Sequence, residues 1–449
     1  METPATSSAA RPTEHPAADD AIRIARDLIR FDTTNTGDER SAGEREAAEY
    51  VTGLLQDWGC QPAYFESEPR RGSVVVRLEG QDQTRPALVL HGHLDVVPAN
   101  AAEWQADPFG AEIRDGAIWG RGAVDMKDMD AMILAVVGWW RDQGVKPPRD
   151  IVLCFFADEE AGGALGSRWL VRNHPELFAG ATEAVSEVGG FSVSVAGRRA
   201  YLIQTAEKGI AWLKLVSKGT PGHGSAINQD NAVRHLVDAL ARIAAQPWTM
   251  NLTPTVEAML RGAADLAGVN LDLTDRQSVD QLLDAFGAAK RFVGASVATG
   301  VNLTSLHTGS SKVNVVPRTA EGTIDMRPLP GEAADAKELV TKLAGPHIDI
   351  SPLNEDIALE APLDAPVVAA MKEALTAADP SAAILPYMLA GGTDGKALAR
   401  LGIASYGFAP LRLPDTFDFT AMFHGVDERV PIDSLRWGAG VLADFLGRI

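Results

Sequence analysis

The stretch Leu88-Val89-Leu90-His91-Gly92-His93-Leu94-Asp95-Val96-Val97-Pro98 is an apolar run that delivers an imidazole and a carboxylate at i and i+2. Strand side chains alternate, so His93 and Asp95 share one face of a strand end. An imidazole that binds zinc hands its other ring N–H to a carboxylate, which fixes the tautomer. The spacing nominates His93 as a metal ligand and Asp95 as its clamp; a structural histidine at the end of a core strand is the alternative that this stretch leaves open. Further acids follow in similar settings. In Ala117-Ile118-Trp119-Gly120-Arg121-Gly122-Ala123-Val124-Asp125-Met126-Lys127 two glycines let the chain turn before Asp125, which opens a helix and either caps it or bridges two cations. The apolar run Ile151 to Ala157 fits a strand buried on both faces and exits into Asp158-Glu159-Glu160-Ala161-Gly162-Gly163. Carboxylates crowded at such an exit repel one another and lose hydration, which a bound divalent cation would offset. Glu187-Val188-Gly189-Gly190 repeats the pattern of short strand, acid and glycines, and His424 stands near the C-terminus.

Together His93, Asp125, Glu160, Glu187 and His424 offer two imidazoles and three carboxylates. That set can hold two divalent ions about 3.5–4 Å apart, bridged by Asp125 and a water. Zinc suits the mixed nitrogen and oxygen donors, with cobalt or manganese as alternatives. Two cations make hydroxide available near neutral pH, and a spare carboxylate must take and return the proton. Glu159 is that spare, since it and Glu160 point in different directions.

The elements that must position these groups follow from periodicity. Helical spacing predicts helices over 19–29, 41–58, 126–140, 231–245, 333–343 and 365–377, one near 168–172, and a last one from about Ser434. Strand-like runs cover 73–78, 87–91, 151–157, 184–186, 212–218, 301–307, 321–327, 347–350 and 403–407. An α/β domain (17–206 and 355–449) is thus interrupted by a β-α-β-β-α-β insert (207–354), within which 253–299 reads as extra helical decoration. Residues 1–16, rich in Ala, Ser, Thr and Pro, read as a disordered tail.

Composition narrows the function. With 449 residues, two domains are the natural expectation. Sixty acidic groups against 41 basic ones, a formal charge of -19, argue against nucleic acid as a partner. Cys60 and Cys154 alone make neither a disulfide framework nor a thiolate cage, so metal ligands must be O and N. No apolar run approaches the ~18 residues of a membrane span, and the expected place is the cytoplasm.

The motifs then converge. His93-Leu94-Asp95, Gly120-Arg121-Gly122-Ala123-Val124-Asp125-Met126-Lys127, Asp158-Glu159-Glu160, Glu187-Val188-Gly189-Gly190, Gly222-His223-Gly224-Ser225, Asn314-Val315-Val316-Pro317, Arg327, Gly391-Gly392-Thr393-Asp394 and His424 occur in the order found in one group of enzymes. The chain resembles the co-catalytic zinc hydrolases that include acetylornithine deacetylase, succinyl-diaminopimelate desuccinylase, aminoacylase and glutamate carboxypeptidase. The resemblance implies a zinc-exopeptidase-like catalytic domain, with a mixed sheet flanked by helices, interrupted by a lid that also dimerises. It implies hydrolysis of an amide next to a carboxylate, in an N-acyl amino acid or a short peptide, with Glu159 as general acid/base. It further implies that His223 reaches the scissile carbonyl, often from a partner subunit. Asn314, Arg327, Gly392 and Thr393 would contact the substrate. An Arg fork matches a carboxylate and an imidazole N–H suits an oxyanion, although Arg327 has a structural alternative in an ion pair with Asp325 and His223 has one as a plain turn residue. Dipeptidase or carboxypeptidase activity is the close alternative to deacylation. A non-catalytic binding relative is the distant one, and it would have no need of Glu159.

Overall fold

Why a continuous apolar run makes a central strand is visible in how two of them divide their side chains. In the computed structural model, which describes residues 12–310 and 312–449, Ala87–His93 lies parallel to Ile151–Phe156. Leu88, Leu90, Ile151, Leu153 and Phe155 enter one core, while Val89, Val152, Cys154 and Phe156 enter another on the opposite face. Both faces are covered, so neither strand shows polar alternation. Helices Ala17–Ile29, Lys127–Gln143 and Ile432–Arg448 pack together over the first face. Ser167–Asn173 and Gly395–Ala399 cover the second.

These strands are central to a ten-stranded mixed sheet in the order Ala63–Glu66, Gly72–Leu78, Ile151–Phe156, Ala87–His93, Ala181–Ser186, Ala404–Gly407, Arg198–Glu207 and Leu359–Glu360. Ser192–Val195 and Ala383–Leu389 also pair with Arg198–Glu207. Ala404–Gly407 sits between two strands of the N-terminal half, parallel to one and antiparallel to the other. The sheet is therefore closed by chain that returns after the insert.

Within the insert, Gly300–Thr308, Thr319–Arg327, Ile210–Lys218 and Ile348–Asp356 form a four-stranded antiparallel sheet. Ala211, Leu213 and Leu215 alternate inward against Leu236, Ala239 and Leu240 of helix Ala232–Ala244 and Val340 of helix Ala333–Ala344. This is a separate apolar core. The helical stretch between Pro254 and Val297 does not join it: Val256, Met259, Leu260 and Val293 belong to the core of the large sheet, where helix Pro254–Ala267 packs on Ala383–Leu389. The assignment of 253–299 to the insert is corrected accordingly.

Other boundaries shift for local reasons. The second helix begins at Arg45 rather than Ser41, because Ser41 and Arg71 both donate to Asn35 and Arg71 also to Glu44, a buried polar knot before it. The strand expected over 347–350 continues to Asp356. Arg198–Glu207, Ala383–Leu389, Ala63–Glu66 and the small sheet Glu112–Arg114, Ala117–Trp119 and Arg429–Pro431 are not among the predicted elements. Of the expected tail, residues 1–11 lie outside the described residues. Pro12–Glu14 is a short 3-10 helix packed on Ile432–Arg448, where Gly440 leaves room for the Pro12 carbonyl.

Candidate metal centre

Strand ends of the large sheet carry His93, Glu160 and Glu187, and loops beside the small three-stranded sheet bring Asp125 and His424 to them, with His424 on the exposed side of the cluster. His93 ends its strand and is 1% exposed. Its Nε2 lies 3.3 Å from Asp125 Oδ1 and 3.7 Å from Glu187 Oε1. The other oxygen of Asp125, Oδ2, lies 3.2 Å from His424 Nε2, which is 3.1 Å from Glu160 Oε2. One carboxylate is thus shared between two imidazoles, each with its own further acid. Oxygens of Glu159 and Glu187 and a ring nitrogen of His93 also lie within 4.8 Å of one another. Three of the residues that aim these groups, Asp158, Val188 and His424, take positive φ (69°, 58° and 58°) without being glycine. Such conformations cost of order 1–3 kcal/mol each and concentrate at functional sites.

The electrostatics are those of a site short of positive charge. Burial pushes the Glu187 carboxyl up to about 8, with His93 opposing it. Burial also raises Glu159 well above the carboxylate range, and Glu160 is raised for the same reason. The hydrogen bonds to Asp125 and Glu160 lift the His424 imidazole to about 10. For Asp125, hydrogen bonds from His424 and His93 outweigh burial and hold the carboxyl below its usual range. Protons on histidine here stand where cations would serve the carboxylates better. Among the described residues, Glu160 Oε1 is buried with no partner. The donors are imidazole nitrogens and carboxylate oxygens, a set that suits zinc, so the residues present fit two divalent ions.

Asp95 acts differently from the expected clamp. The nearest acceptor for His93 Nδ1 is the Asp95 main-chain oxygen at 3.0 Å, while the carboxylate stands 3.6 Å away. That carboxylate accepts from the backbone N–H groups of Glu159 and Glu160, each at 3.0 Å, and from Asn35 Nδ2 at 2.8 Å. It therefore fixes the Glu159-Glu160 turn against the histidine strand. A second support is Glu428, fully buried, which accepts from Arg121 Nη1 at 2.6 Å and from the N–H groups of Gly122, Val124 and Asp125. The loop that carries Asp125 hangs on this one carboxylate. Neither Asn35 nor Glu428 was singled out from the sequence; Glu428 is four residues beyond His424, while Asn35 has no motif around it.

A cleft of ≈ 440 Å³ opens from this cluster. Its lining includes Glu159, Arg327, Trp212, Gly392, Thr393 and Phe423. Arg327 forks onto Asp325, with Nε at 2.7 Å and Nη2 at 3.0 Å, so the ion pair raised as its structural alternative is present even though the guanidinium lines the cleft. Thr393 departs from its expected role. Its hydroxyl donates to Glu207 Oε1 at 2.6 Å and accepts from Gly395 N–H at 3.1 Å, which leaves no free proton for a substrate. His223 and Asn314 are not part of the lining. They sit together on an exposed two-stranded ribbon, Gly222–His223 with Val315–Val316, where Gly224 N–H donates to Asn314 O at 2.8 Å and His223 Nδ1 meets Ser225 Oγ at 2.8 Å.

Residues 89–448 match the model of peptidase family M20/M25/M40. The chain belongs to this family. It is a metal-dependent hydrolase of amide bonds. Among curated relatives it is 27% identical to the probable carboxypeptidase S-like 1 of Dictyostelium discoideum, over 80% of this chain and 72% of that one. It is 28% identical to aminoacylase-1 of Sus scrofa, over 72% of this chain and 68% of that one. The fold is shared with the M20 family metallo-carboxypeptidase Sso-CP2 of Sulfolobus solfataricus, with a TM-score of 0.72 and 17% identity over 96% of this chain and 99% of that one. Among the described residues of this M20 chain, no helix is long and apolar enough to cross a membrane.

Proposed function

We propose that this M20 enzyme cleaves the amide bond of an N-acyl amino acid or short peptide that bears a free carboxylate. The observation that carries the reading is Asp125, whose two oxygens are divided between His93 and His424. His93, Asp125 and Glu187 would hold one ion and His424, Asp125 and Glu160 the other, with zinc as the metal. Bound there, the pair supplies Lewis acidity toward the amide carbonyl and lowers the pKa of water at the site.

The chain's own residues do the rest. Glu159 takes a proton from the attacking water and returns it to the departing amide nitrogen. Asp95 and Asn35 keep the Glu159-Glu160 turn in register with His93. Arg327, whose Nη1 is not used by Asp325, holds the substrate carboxylate.

His223 and Asn314 serve a cleft other than that of their own chain. Their exposed ribbon, flanked by exposed Ile227, Val313 and Val315, supports a homodimer in which His223 of one chain meets the oxyanion in its partner's site. Two unpaired cysteines suit the cytoplasm. The test is metal analysis together with a hydrolysis screen of N-acetyl, N-succinyl and N-aromatic-acyl amino acids beside dipeptides. Close to two ions per chain and turnover of one of these classes are expected; activity that survives complete removal of metal ends the reading.

A further inference from the structure

The helix Lys290–Gly294 belongs to the stretch that packs on the large sheet, and it places Arg291 and Phe292 in the lining of the cleft. Phe292 lies parallel to Phe423, with ring centroids 6.3 Å apart and 10° between the planes. Phe423 precedes the candidate ligand His424, so the helix is fixed against the metal-bearing loop and carries Arg291 with it.

Three other cations line the same cleft, and each already has an acid. Arg327 is 2.7 Å from Asp325, Arg168 is 2.5 Å from Asp356, and Lys396 is 3.1 Å from Glu207. Arg291 has none: among the described residues no carboxylate oxygen lies within 4.0 Å of its guanidinium, and it donates no hydrogen bond. Arg291 is exposed overall yet lines the cleft, and an unpaired guanidinium on the wall of a concave site adds to the field that draws an anion into it. Its planar fork matches a carboxylate, and no desolvated partner has to be displaced.

We propose that Arg291 is a specificity-determining residue that holds a second carboxylate of the substrate, so that the preferred substrates are dianionic. Resting on the amide-hydrolase reading above, this leaves the first carboxylate to Arg327 and gives the second to Arg291. That second group is carried either by the side chain of the released amino acid, as in an N-acyl glutamate, or by the distal end of a dicarboxylic acyl group.

Matched pairs separate these sources. N-acetyl-glutamate is compared with N-acetyl-glutamine, and N-succinyl-alanine with N-butyryl-alanine, using the metal-loaded wild type and Arg291→Gln, Arg291→Lys and Arg291→Glu. The wild type should favour the dianionic member of one pair by about 10–100-fold in kcat/KM. Arg291→Gln should erase that preference through KM while leaving the monoanionic member unchanged, Arg291→Lys should restore part of it, and Arg291→Glu should invert it. No preference in either pair, or an equal loss on both members in Arg291→Gln, overturns the assignment. Calorimetric binding of glutarate against valerate to the same proteins reads the site without turnover. A wild type that hydrolyses none of the four compounds, yet binds glutarate more tightly only while Arg291 is present, would end the proposed N-acyl amino acid substrates and keep the carboxylate site at Arg291. Equal binding of the two acids would end the assignment as well.

Discussion

Glu159 and Glu160 are neighbours on one tight turn, and the proposed mechanism gives them different work. Both line the cleft, Glu160 Oε2 beside His424 and Asp125 and Glu159 beside His93 and Glu187. Glu159→Gln should therefore lower kcat by at least the ~10²–10⁴-fold typical of a lost general base and leave metal content near normal. Glu160→Gln should instead shed metal; equal metal loss in both would show that the roles are not divided. Glu428→Gln makes a different prediction. It touches no proposed ligand side chain, but it weakens the hold on Arg121 and on the N–H groups of Gly122, Val124 and Asp125. Metal affinity should fall about 10–100-fold, read by competition with a chelator, and an unchanged affinity would mean the Asp125 loop holds itself. The candidate ligands stood out in the sequence because acids and histidines beside glycines at strand ends are unusual for a core. Asn35 and Glu428 were not, since a residue that accepts or donates to backbone far along the chain leaves no local pattern.

The helix Lys127–Gln143 carries two acids, Asp128 and Asp130, on buried positions of its first turns. Burial raises the Asp128 carboxyl to about 8 and Asp130 well above the carboxylate range, and both oxygens of Asp130 lack a partner. The unfolded chain ionises these groups near pH 4 while the folded chain still holds their protons. Stability that is full below that pH is therefore lost as pH rises toward 8. Asp130→Asn should raise the free energy of unfolding at pH 8, read from urea titration, by on the order of 1–3 kcal/mol, and change it little at pH 4. A stabilisation equal at both pH values would mean that ionisation is not the cause. The elements that the sequence did not reveal have physical reasons too. Ala383–Leu389 contains Pro386, normally a sign against a strand, but it has a single strand neighbour and an edge tolerates the missing donor. Arg198–Glu207 opens with two arginines and includes Gln204 and Thr205, so its apolar run is broken although most of it is buried. The strands buried on both faces, Ala87–His93 and Ile151–Phe156, were the easy ones.

At the scale of the whole molecule, the insert's sheet and its two helices could be read from alternation and helical period, but the return of 254–297 to the large sheet could not, because a helix's apolar face does not say which core it will join. The exposed ribbon of His223 is the other long-range feature. If the proposed homodimer supplies His223 across subunits, inactive His223→Ala chains mixed with inactive Glu159→Gln chains under subunit exchange should recover part of the wild-type activity, since one site of each mixed dimer would keep both residues. No recovery despite measured exchange would place His223 in its own chain's reaction. The position of Ala404–Gly407 between Ala181–Ser186 and Arg198–Glu207 matters before the protein is finished. On the ribosome both flanking strands emerge with the slot between them empty, and at about 5–20 residues per second it stays open for roughly 10–40 s. Over that interval the nascent chain presents the edge of Ala181–Ser186 unpaired where Ala404–Gly407 will lie, and that of Arg198–Glu207 open at Gln204, where Gly407 will pair. Ribosome-bound chains halted before Ala404 should be protease-sensitive around residues 181–207 and held by chaperones, while chains extended past the C-terminal helix should be neither.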